Sequence, residues 1–256
     1  MIEVLNIYKS FDGKIVLNNV SSVFHVGKTN LVIGSSGSGK TVLVKSLIGL
    51  NKIDSGEIIY DGLPLSQMDY LQKKELRMSL GMVFQGGALF DSMNVEENIM
   101  FPLSMFTNMT KEEKVDRVNF CLKRVNLVNA NKKYPSELSG GMLKRVAIAR
   151  AISNSPKYLF CDEPNSGLDP HTASLIDNLI REITVEFNIT TVINTHDMNS
   201  VMEIGDHVVF INKGKKWWEG TSNDFFLADN KELNEFICSN KIVQSYKEKV
   251  LKEAIS

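Results

Sequence analysis

The eight residues GSSGSGKT, from Gly34 to Thr41, constrain this chain more than any other feature of its sequence. They match the pattern G-x-x-x-x-G-K-[S/T], and they lie between the apolar runs NLVI and VLVKSLIGL. Such a loop between a strand and a helix binds phosphate, because its glycines let backbone N–H groups approach the oxygens and the helix N-terminus is electropositive. The pattern predicts a nucleotide-binding α/β domain, with ATP or GTP as the favoured ligand.

Two side chains of this loop have predicted roles of their own. Lys40 can reach the outer phosphates, and the Thr41 hydroxyl can ligate Mg²⁺. The other members are expected to cradle phosphate. The predicted nucleotide-binding residues of the loop are Gly34, Ser35, Ser36, Gly37, Ser38, Gly39, Lys40 and Thr41.

Runs typical of strands and of helices alternate along the chain. β-rich runs come first, helical periodicity dominates from about residue 86 to 155, and strands and helices alternate again from KYLFCD onward. Such alternation predicts an α/β fold. We expect a core domain over residues 1–220, with a β-rich N-terminal part and a helical insertion at about 86–155, followed by a helical extension over residues 221–256.

Three further runs end in polar side chains where an apolar strand should stop. YLFCDE places Asp162 and Glu163 there, GMVFQ places Gln85, and TTVINTH places His196. Taken alone, each is more simply explained as a solvated or structural group. Beside the glycine loop, we expect Asp162 and Gln85 to join Thr41 around Mg²⁺, since oxygen ligands suit this ion. Glu163, His196 and Gln85 are the candidates for hydrolysis, polarising water or contacting the γ-phosphate.

A second potential anion site lies about a hundred residues later, in PSELSGGMLKRVAIARA. Ser139, Gly140 and Gly141 open a predicted helix there, where free backbone N–H groups and the positive end of the helix dipole converge. One nucleotide needs only one such place. The duplication therefore requires an explanation.

Taken together, these motifs resemble those of the ATP-binding-cassette (ABC) ATPase family. GSSGSGKT is similar to its Walker A motif, YLFCDE to Walker B, LSGGM to the signature and SGLD to the D-loop, in the family's order and approximate spacing up to about residue 220. The resemblance implies a P-loop (RecA-like) ATPase fold with ATP and Mg²⁺. It also implies that Gln85 is the Q-loop residue, His196 the H-loop residue and Asp169 the D-loop residue.

The same resemblance explains the duplicated anion site. In this family two copies pair head to tail, and the signature of one contacts the γ-phosphate held by the glycine loop of the other. A second copy of this chain is thus an implied partner, with Ser139, Gly140 and Gly141 acting in trans. Phe11 matches the aromatic residue on which adenine stacks, and Val16 can add apolar contact. In isolation, either residue could simply belong to the core.

Two features resemble ATPases that drive bacterial MCE-type phospholipid transport, the Mla-like systems. One is VFQGGALFDSMNVEENIMFPL, residues 83–103, and the other is Met142, which ends the signature where glutamine is usual. The resemblance implies an integral-membrane permease and an MCE-domain substrate-binding protein as partners. Other ABC importers and lipoprotein-releasing systems share much of MNVEENI, and a soluble ABC ATPase outside transport is a further alternative. How Met142 affects coupling stays open.

A methionine- and phenylalanine-rich stretch spans residues 78–109. Such a surface can repack around an inserted helix, but it can equally fill the core of the helical insertion. The resemblance favours a groove for a coupling helix of the permease. The residues are Met78, Met82, Met93, Met100, Met105, Met109, Phe84, Phe90, Phe101 and Phe106.

Composition argues against nucleic acid as a partner and predicts the location. Twenty-nine basic and thirty acidic residues give a net charge of -1, so there is no basic field to attract nucleic acid. The start lacks a leader pattern, and no run approaches the roughly 18 apolar residues of a membrane span. We expect a cytoplasmic protein held at the inner face of the bacterial cytoplasmic membrane by its permease.

Near the end, an apolar stripe is predicted to pack on its own domain or on a partner subunit: Ile242, Val243, Tyr246 and Val250.

Overall fold

The structure is a computed structural model that describes residues 1–238, Gln244 and Lys247. The predicted stripe of Ile242, Val243, Tyr246 and Val250 lies outside the described residues, so its packing stays a prediction. Among the helices described, none has the length and apolar character that a membrane span requires.

The first strands form an antiparallel sheet. β1 (Ile2–Phe11) pairs with both β2 (Lys14–Phe24) and β4 (Ser55–Tyr60), and β5 (Leu63–Pro64) extends the edge, in the order β2-β1-β4-β5. Asp12 and Gly13, with φ of 49° and 78°, make the turn between β1 and β2. Aspartate and glycine tolerate this left-handed backbone. The β-rich N-terminal part of the fold is confirmed.

The remaining strands form a second, mainly parallel sheet. They are β3 (Thr29–Ile33), β6 (Leu80–Val83), β7 (Tyr158–Asp162), β8 (Thr190–Thr195), β9 (His207–Asn212) and β10 (Lys215–Gly220). Their order is β10-β9-β3-β8-β7-β6, with only β10 antiparallel to its neighbour. Successive residues of β3 enter different cores, Leu31 and Ile33 on one face and Val32 on the other. Both faces are therefore covered, as parallel sheets require.

Helices pack on both faces of this parallel sheet. Their bounds are α1 (Lys40–Leu47), α2 (Tyr70–Met78), α3 (Val95–Phe106), α4 (Lys111–Arg124), α5 (Gly140–Ile152), α6 (Pro170–Glu186), α7 (Met198–Ile204), α8 (Ser222–Leu227) and α9 (Lys231–Cys238). A 3₁₀ turn spans Pro135–Glu137. The stretch expected to be helical contains α3, α4 and α5. Its limits as a separate unit stay a prediction.

Two hydrophobic cores lie on opposite faces of the parallel sheet. One joins this sheet to α1 and the antiparallel sheet, and it includes Val32 and Leu43. The other contains the helices α3 to α6, and it also holds Phe225 of α8 and Leu233 and Ile237 of α9. The described part of the predicted C-terminal extension therefore packs on the core of its own chain.

Candidate active site

The parallel sheet brings most of the predicted site residues to one edge. Carboxyl ends of parallel strands meet at the same edge, and here β3 leads into Gly34, β6 into Gln85, β7 into Glu163 and β8 into His196. In the register of β7 with β8, Asp162 lies beside Asn194. The three strand-end runs and the glycine loop thus form one site.

The glycine loop is closely packed against its own chain. A Cβ atom at position 34 would lie 2.0 Å from the carbonyl oxygen of Ile211, and one at position 39 would lie 2.8 Å from that of Val16. Both glycines also have positive φ, of 149° and 108°. Only glycine satisfies both restrictions, so the loop cannot keep this shape with other residues there.

Lys40 lies inside the loop with its cation nearly out of solvent. Its Nζ atom donates hydrogen bonds to the carbonyl oxygens of Gly34, at 2.8 Å, and Ser35, at 3.0 Å. Burial lowers the pKa of Lys40, while the nearby carboxylates of Glu163 and Asp162 raise it. Within the described part of the chain this ammonium has no ion-pair partner.

The loop fits a phosphate chain. The hydroxyl of Ser38 is buried and has no hydrogen-bond partner among the described residues, a state that proteins normally avoid. A polyanion at this position would accept from that hydroxyl and would compensate the buried charge of Lys40. Backbone N–H groups at the start of α1 add to the same positive potential.

Thr41 and Asp162 form the part of the site that fits Mg²⁺. The Thr41 hydroxyl donates to Oδ1 of Asp162 over 3.3 Å, and the side-chain amide of Asn194 donates to both oxygens. These are hard oxygen ligands. In residues 1–238 no cluster of three or more His, Cys, Asp or Glu side chains is placed to hold a metal. Thr41 and Asp162 are the residues that would hold Mg²⁺ here.

Glu163 is held at the centre of a second polar cluster. Nε2 of Gln85 donates to Oε2 of Glu163 at 2.8 Å, and Nδ1 of His196 lies 3.1 Å from Oε1. The backbone of Glu163 has φ of 47°. This conformation is uncommon for residues other than glycine, and it is found at functional sites. The glutamate side chain is 19% exposed and the histidine 56%.

Gln85 differs in its contacts from the other two predicted metal ligands. Thr41 and Asp162 touch one another, whereas Gln85 donates to Glu163 and to the hydroxyl of Ser166, at 3.4 Å. The structure therefore places the amide nitrogen of Gln85 beside Glu163. A role for its oxygen at the metal stays a prediction.

The signature residues form the start of α5 and pack against the segment that leads into α6. Ser139 is exposed and caps α5, its hydroxyl accepting from the backbone N–H of Met142 at 3.3 Å. No hydrogen bond in the described residues joins it to the loop. A Cβ at position 141 would lie 2.8 Å from Cγ2 of Thr172, and one at 140 would lie 3.4 Å from Cδ2 of Leu168. The glycines thus let α5 begin close against the start of α6.

Three other predicted residues have clear positions. The carbonyl group of Val16 contacts the glycine loop, as described above for Gly39. Phe11 ends β1 as an exposed ring, and the ammonium of Lys9 lies 4.8 Å from its centre. Asp169 caps α6 by accepting from the backbone N–H of Thr172 at 3.0 Å, and this hydrogen bonding lowers its pKa. Adenine stacking on Phe11 stays a prediction.

Sequence reasoning missed three polar residues around the site. Lys144 of α5 is buried and donates to the carbonyl oxygen of Gln85. Arg150, also of α5, donates to the carbonyl oxygens of Gly87 and Ala88, both at 2.7 Å. Asn194 is the third, and an amide inside the apolar run TTVINT was the signal that could have found it.

The methionine-rich stretch divides between core and surface. Met100 packs on the core that contains α3 to α6, and Met82 packs on the other core. An open groove of about 270 Å³ lies beside α3, lined by residues that include Met78, Phe84, Phe90, Phe101 and Phe106. The last three are also solvent-exposed.

Asn98 holds one wall of this groove in place. It is fully buried, its Oδ1 accepts from the backbone N–H of Phe90, and its Nδ2 donates to the carbonyl oxygens of Phe90, Met93 and Asn94. These bonds lock the loop before α3. The groove is therefore a pre-formed surface.

Comparison with known proteins places the chain among cassette ATPases. A family model described as ABC transporter matches residues 17–166. The "Methionine import ATP-binding protein MetN" of Clostridium tetani is 38% identical over 239 residues, which are 93% of this chain and 74% of that protein. The "Probable ribonucleotide transport ATP-binding protein mkl" of Mycobacterium bovis is 35% identical over 94% of this chain and 67% of its own length.

A solved structure has the same architecture. It is the dimeric post-hydrolysis state of the ATP-binding cassette MJ0796 bound to ADP and Pi, with a TM-score of 0.79 and 29% identity. The match covers 87% of this chain and 99% of that one.

Proposed function

Because this chain belongs to the ABC transporter family, we propose that it is the ATPase subunit that powers MCE-type phospholipid transport. The broader part is established by membership of the family. The protein is an ABC ATPase that uses ATP with Mg²⁺, and cassettes of this family dimerise and pair with membrane permeases. The cargo, the residue roles and the individual partners are the proposal.

The observation that carries the enzymatic part is the pair of polar clusters at one sheet edge. The first cluster binds: the glycine loop and Lys40 hold the phosphates, while Thr41 and Asp162 hold the metal. When bound, Mg²⁺ neutralises charge on the phosphates. The second cluster, around Glu163, acts on water. Catalysis is then mainly positioning and charge stabilisation.

Glu163 is the general base of this proposal. An ionised carboxylate only accepts hydrogen bonds, so the contact with His196 requires a proton on Nδ1 of the imidazole. His196 and Gln85 together orient the carboxylate, one at each oxygen. Nε2 of His196 can donate to a γ-phosphate oxygen when it carries a proton as well, that is, in the doubly protonated imidazolium form.

The signature residues complete the site of a second copy. Ser139 is exposed at the start of a helix of 13 residues, and among the described residues its side chain hydrogen-bonds to the backbone of its own helix at Met142. A helix N-terminus attracts an anion. In a head-to-tail pair, Ser139, Gly140 and Gly141 contact the γ-phosphate held by the partner.

The groove beside α3 is the proposed docking site of the permease. Its lining contains four phenylalanines and two methionines, and apolar surface of this kind suits an inserted amphipathic helix. Lys144 and Arg150 tie the adjoining loop, residues 85–88, to the signature helix α5. Movement of α5 during closure of the dimer would thereby reach the permease.

Phospholipid is the proposed cargo because residues 83–103 and Met142 resemble MCE-type ATPases. This assignment also names an MCE-domain protein as a partner, and it places the chain on the cytoplasmic side of the membrane. Methionine import is the second candidate, favoured by the 38% identity with a methionine import ATP-binding protein. The two candidates require different membrane subunits.

Isolation of the intact complex tests the cargo. The tagged chain, extracted with membranes, should carry a permease and an MCE-domain protein, and the complex in liposomes should transfer labelled phospholipid only with ATP. ATP-dependent uptake of labelled methionine without lipid transfer would replace the proposal with the second candidate.

A Phe101→Arg substitution in the groove should release the permease. Phe120→Arg, an exposed phenylalanine of α4 outside the groove, is the matched control.

A further inference from the structure

Asn194 is an amide in the middle of the parallel sheet. All six residues of β8 are buried, and Asn194 itself is 0% exposed. The strand pairs with β3 on one side and with β7 on the other, so its backbone is fixed from both sides. A carboxamide at such a position loses its hydration, which is unfavourable unless hydrogen bonds replace the lost water.

The side chain of Asn194 makes its hydrogen bonds to the two oxygens that fit the metal. Nδ2 donates to Oγ1 of Thr41, at 3.0 Å, and to Oδ1 of Asp162. An amide nitrogen has two N–H groups, so one can serve each oxygen. These two oxygens come from different elements, the start of α1 and the end of β7, and Asn194 joins them.

The oxygen of the Asn194 amide gains no stabilising hydrogen bond within the described structure. Oδ1 of Asn194 is buried and has no partner among the described residues. An apolar side chain would avoid this loss. Among the described residues, the two hydrogen bonds donated by Nδ2 are therefore the contacts that explain an asparagine at position 194. Local departures of this kind are typical of functional sites.

We propose that Asn194 is a positioning residue for the metal, holding the Thr41 hydroxyl and the Asp162 carboxylate at a fixed separation before nucleotide binds. An oxygen pair that is already oriented loses less conformational freedom when the ion arrives. Aspartate could not replace this asparagine, because an ionised carboxylate donates no hydrogen bond and would repel Asp162. The inference depends on the assignment of Thr41 and Asp162 to Mg²⁺ in the proposed function.

The test compares nucleotide binding with and without the ion. The dissociation constant of a fluorescent ATP analogue is measured on the full chain in Mg²⁺ and in EDTA. Asn194→Leu should reduce the gain in affinity due to Mg²⁺ by about 10-fold, since loss of groups that orient metal ligands costs about 10–100-fold in metal affinity. Affinity in EDTA should be unchanged, because Asn194 serves the metal side of the site.

Matched variants separate this role from a general defect. Thr191→Val removes a buried hydrogen bond from the same strand, to Thr184, away from the site, and it should leave the effect of Mg²⁺ intact. If Asn194→Leu fails to fold, Asn194→Val suits a strand and should give the same loss. An unchanged Mg²⁺ effect in the folded Asn194 variant would overturn the inference, as would an equal loss in Thr191→Val.

A Thr41→Val variant tests separately the role of Asn194 and the assignment of Thr41 to Mg²⁺, on which that role depends. If Thr41→Val loses the Mg²⁺ effect and the Asn194 variants keep it, only the role of Asn194 is wrong. If Thr41→Val also keeps the effect, the metal assignment itself is wrong, and the inference is overturned with it.

Discussion

At the residue scale, Glu163 is the side chain on which the proposed chemistry depends. Glu163→Gln keeps the shape and most hydrogen bonds but removes the base, so turnover should fall by about 10²–10⁴-fold while ATP still binds. Phosphate release and nucleotide binding measured on the same preparation check this. Glu182→Gln, an exposed glutamate of α6 paired with Arg124, should keep full turnover. Near-normal turnover of Glu163→Gln would remove Glu163 from its role.

Asp177 makes the stability of the protein depend on pH. It is buried on α6, and its pKa is raised from an ordinary 3.8 to about 6 by burial and by the nearby carboxylates of Asp197 and Glu203. Hydrogen bonds donated by Ser200 and Asn165 act in the opposite direction. Because the folded pKa is the higher one, the folded state holds the extra proton between about pH 4 and 6. The stability contributed by Asp177 is therefore full below that window and is lost as pH rises through about 6.

The prediction follows from the sign of this shift. Asp177→Asn cannot ionise, so its free energy of unfolding, relative to the original protein, should increase by about 1 kcal/mol from pH 5 to 6. Above about pH 7 the difference should be constant. Urea unfolding across pH 5 to 8 measures it, and a difference that stays flat throughout would contradict the assignment.

Single residues of the site were predictable where a strand end placed them. Gln85, Glu163 and His196 each follow an apolar run, and parallel strands bring such ends together. Asn194 and Lys144 were missed because their partners are 32 and 59 residues away in the chain. Such contacts depend on strand register and helix packing, which local pattern does not supply.

At the scale of elements, α5 holds the loop after β6. Arg150 donates two hydrogen bonds to that loop, whereas Arg145 donates to the carbonyl oxygen of Val125, on the other side of the helix. Arg150→Ala should cost about 2 kcal/mol of unfolding free energy, as expected for the loss of hydrogen bonds from a charged donor. It should also accelerate amide exchange at residues 86–90.

Arg145→Ala is the matched control for this loop. It should accelerate exchange near residue 125 and leave residues 86–90 protected. Hydrogen exchange read by mass spectrometry distinguishes the two patterns. Identical patterns in both variants would show that the loop is held by something other than Arg150.

Strong periodicity made most strands and long helices predictable, but α2 was missed. None of its residues is buried, so it carries no apolar stripe. Its signal was local instead: Asp69 and Gln72 form a reciprocal cap at its start. The close packing of Gly141 on Thr172 was also beyond sequence reasoning, which read that glycine only as part of an anion site.

At the scale of the whole molecule, the proposed head-to-tail pair can be tested by mixing subunits. Lys40→Ala destroys the glycine loop and Ser139→Glu destroys the signature, so neither variant alone should hydrolyse ATP. A mixed dimer contains one site built from the intact loop of one chain and the intact signature of the other. Activity should therefore reappear on mixing. If each chain used its own signature, mixing would restore nothing.

Gly140 and Gly141 of the signature pack against Leu168 and Thr172, and this packing has a consequence for the proposed head-to-tail dimer. The segment that carries Glu163 runs directly into these residues, so in each subunit the turn proposed to act on the neighbour's nucleotide packs against the same short stretch of backbone that carries the subunit's own Glu163. In the proposed pair we therefore expect occupancy of one nucleotide site to affect the other. Turnover should rise sigmoidally with ATP concentration, with a Hill coefficient above one, because the packing of two glycines on one helix start connects the two sites.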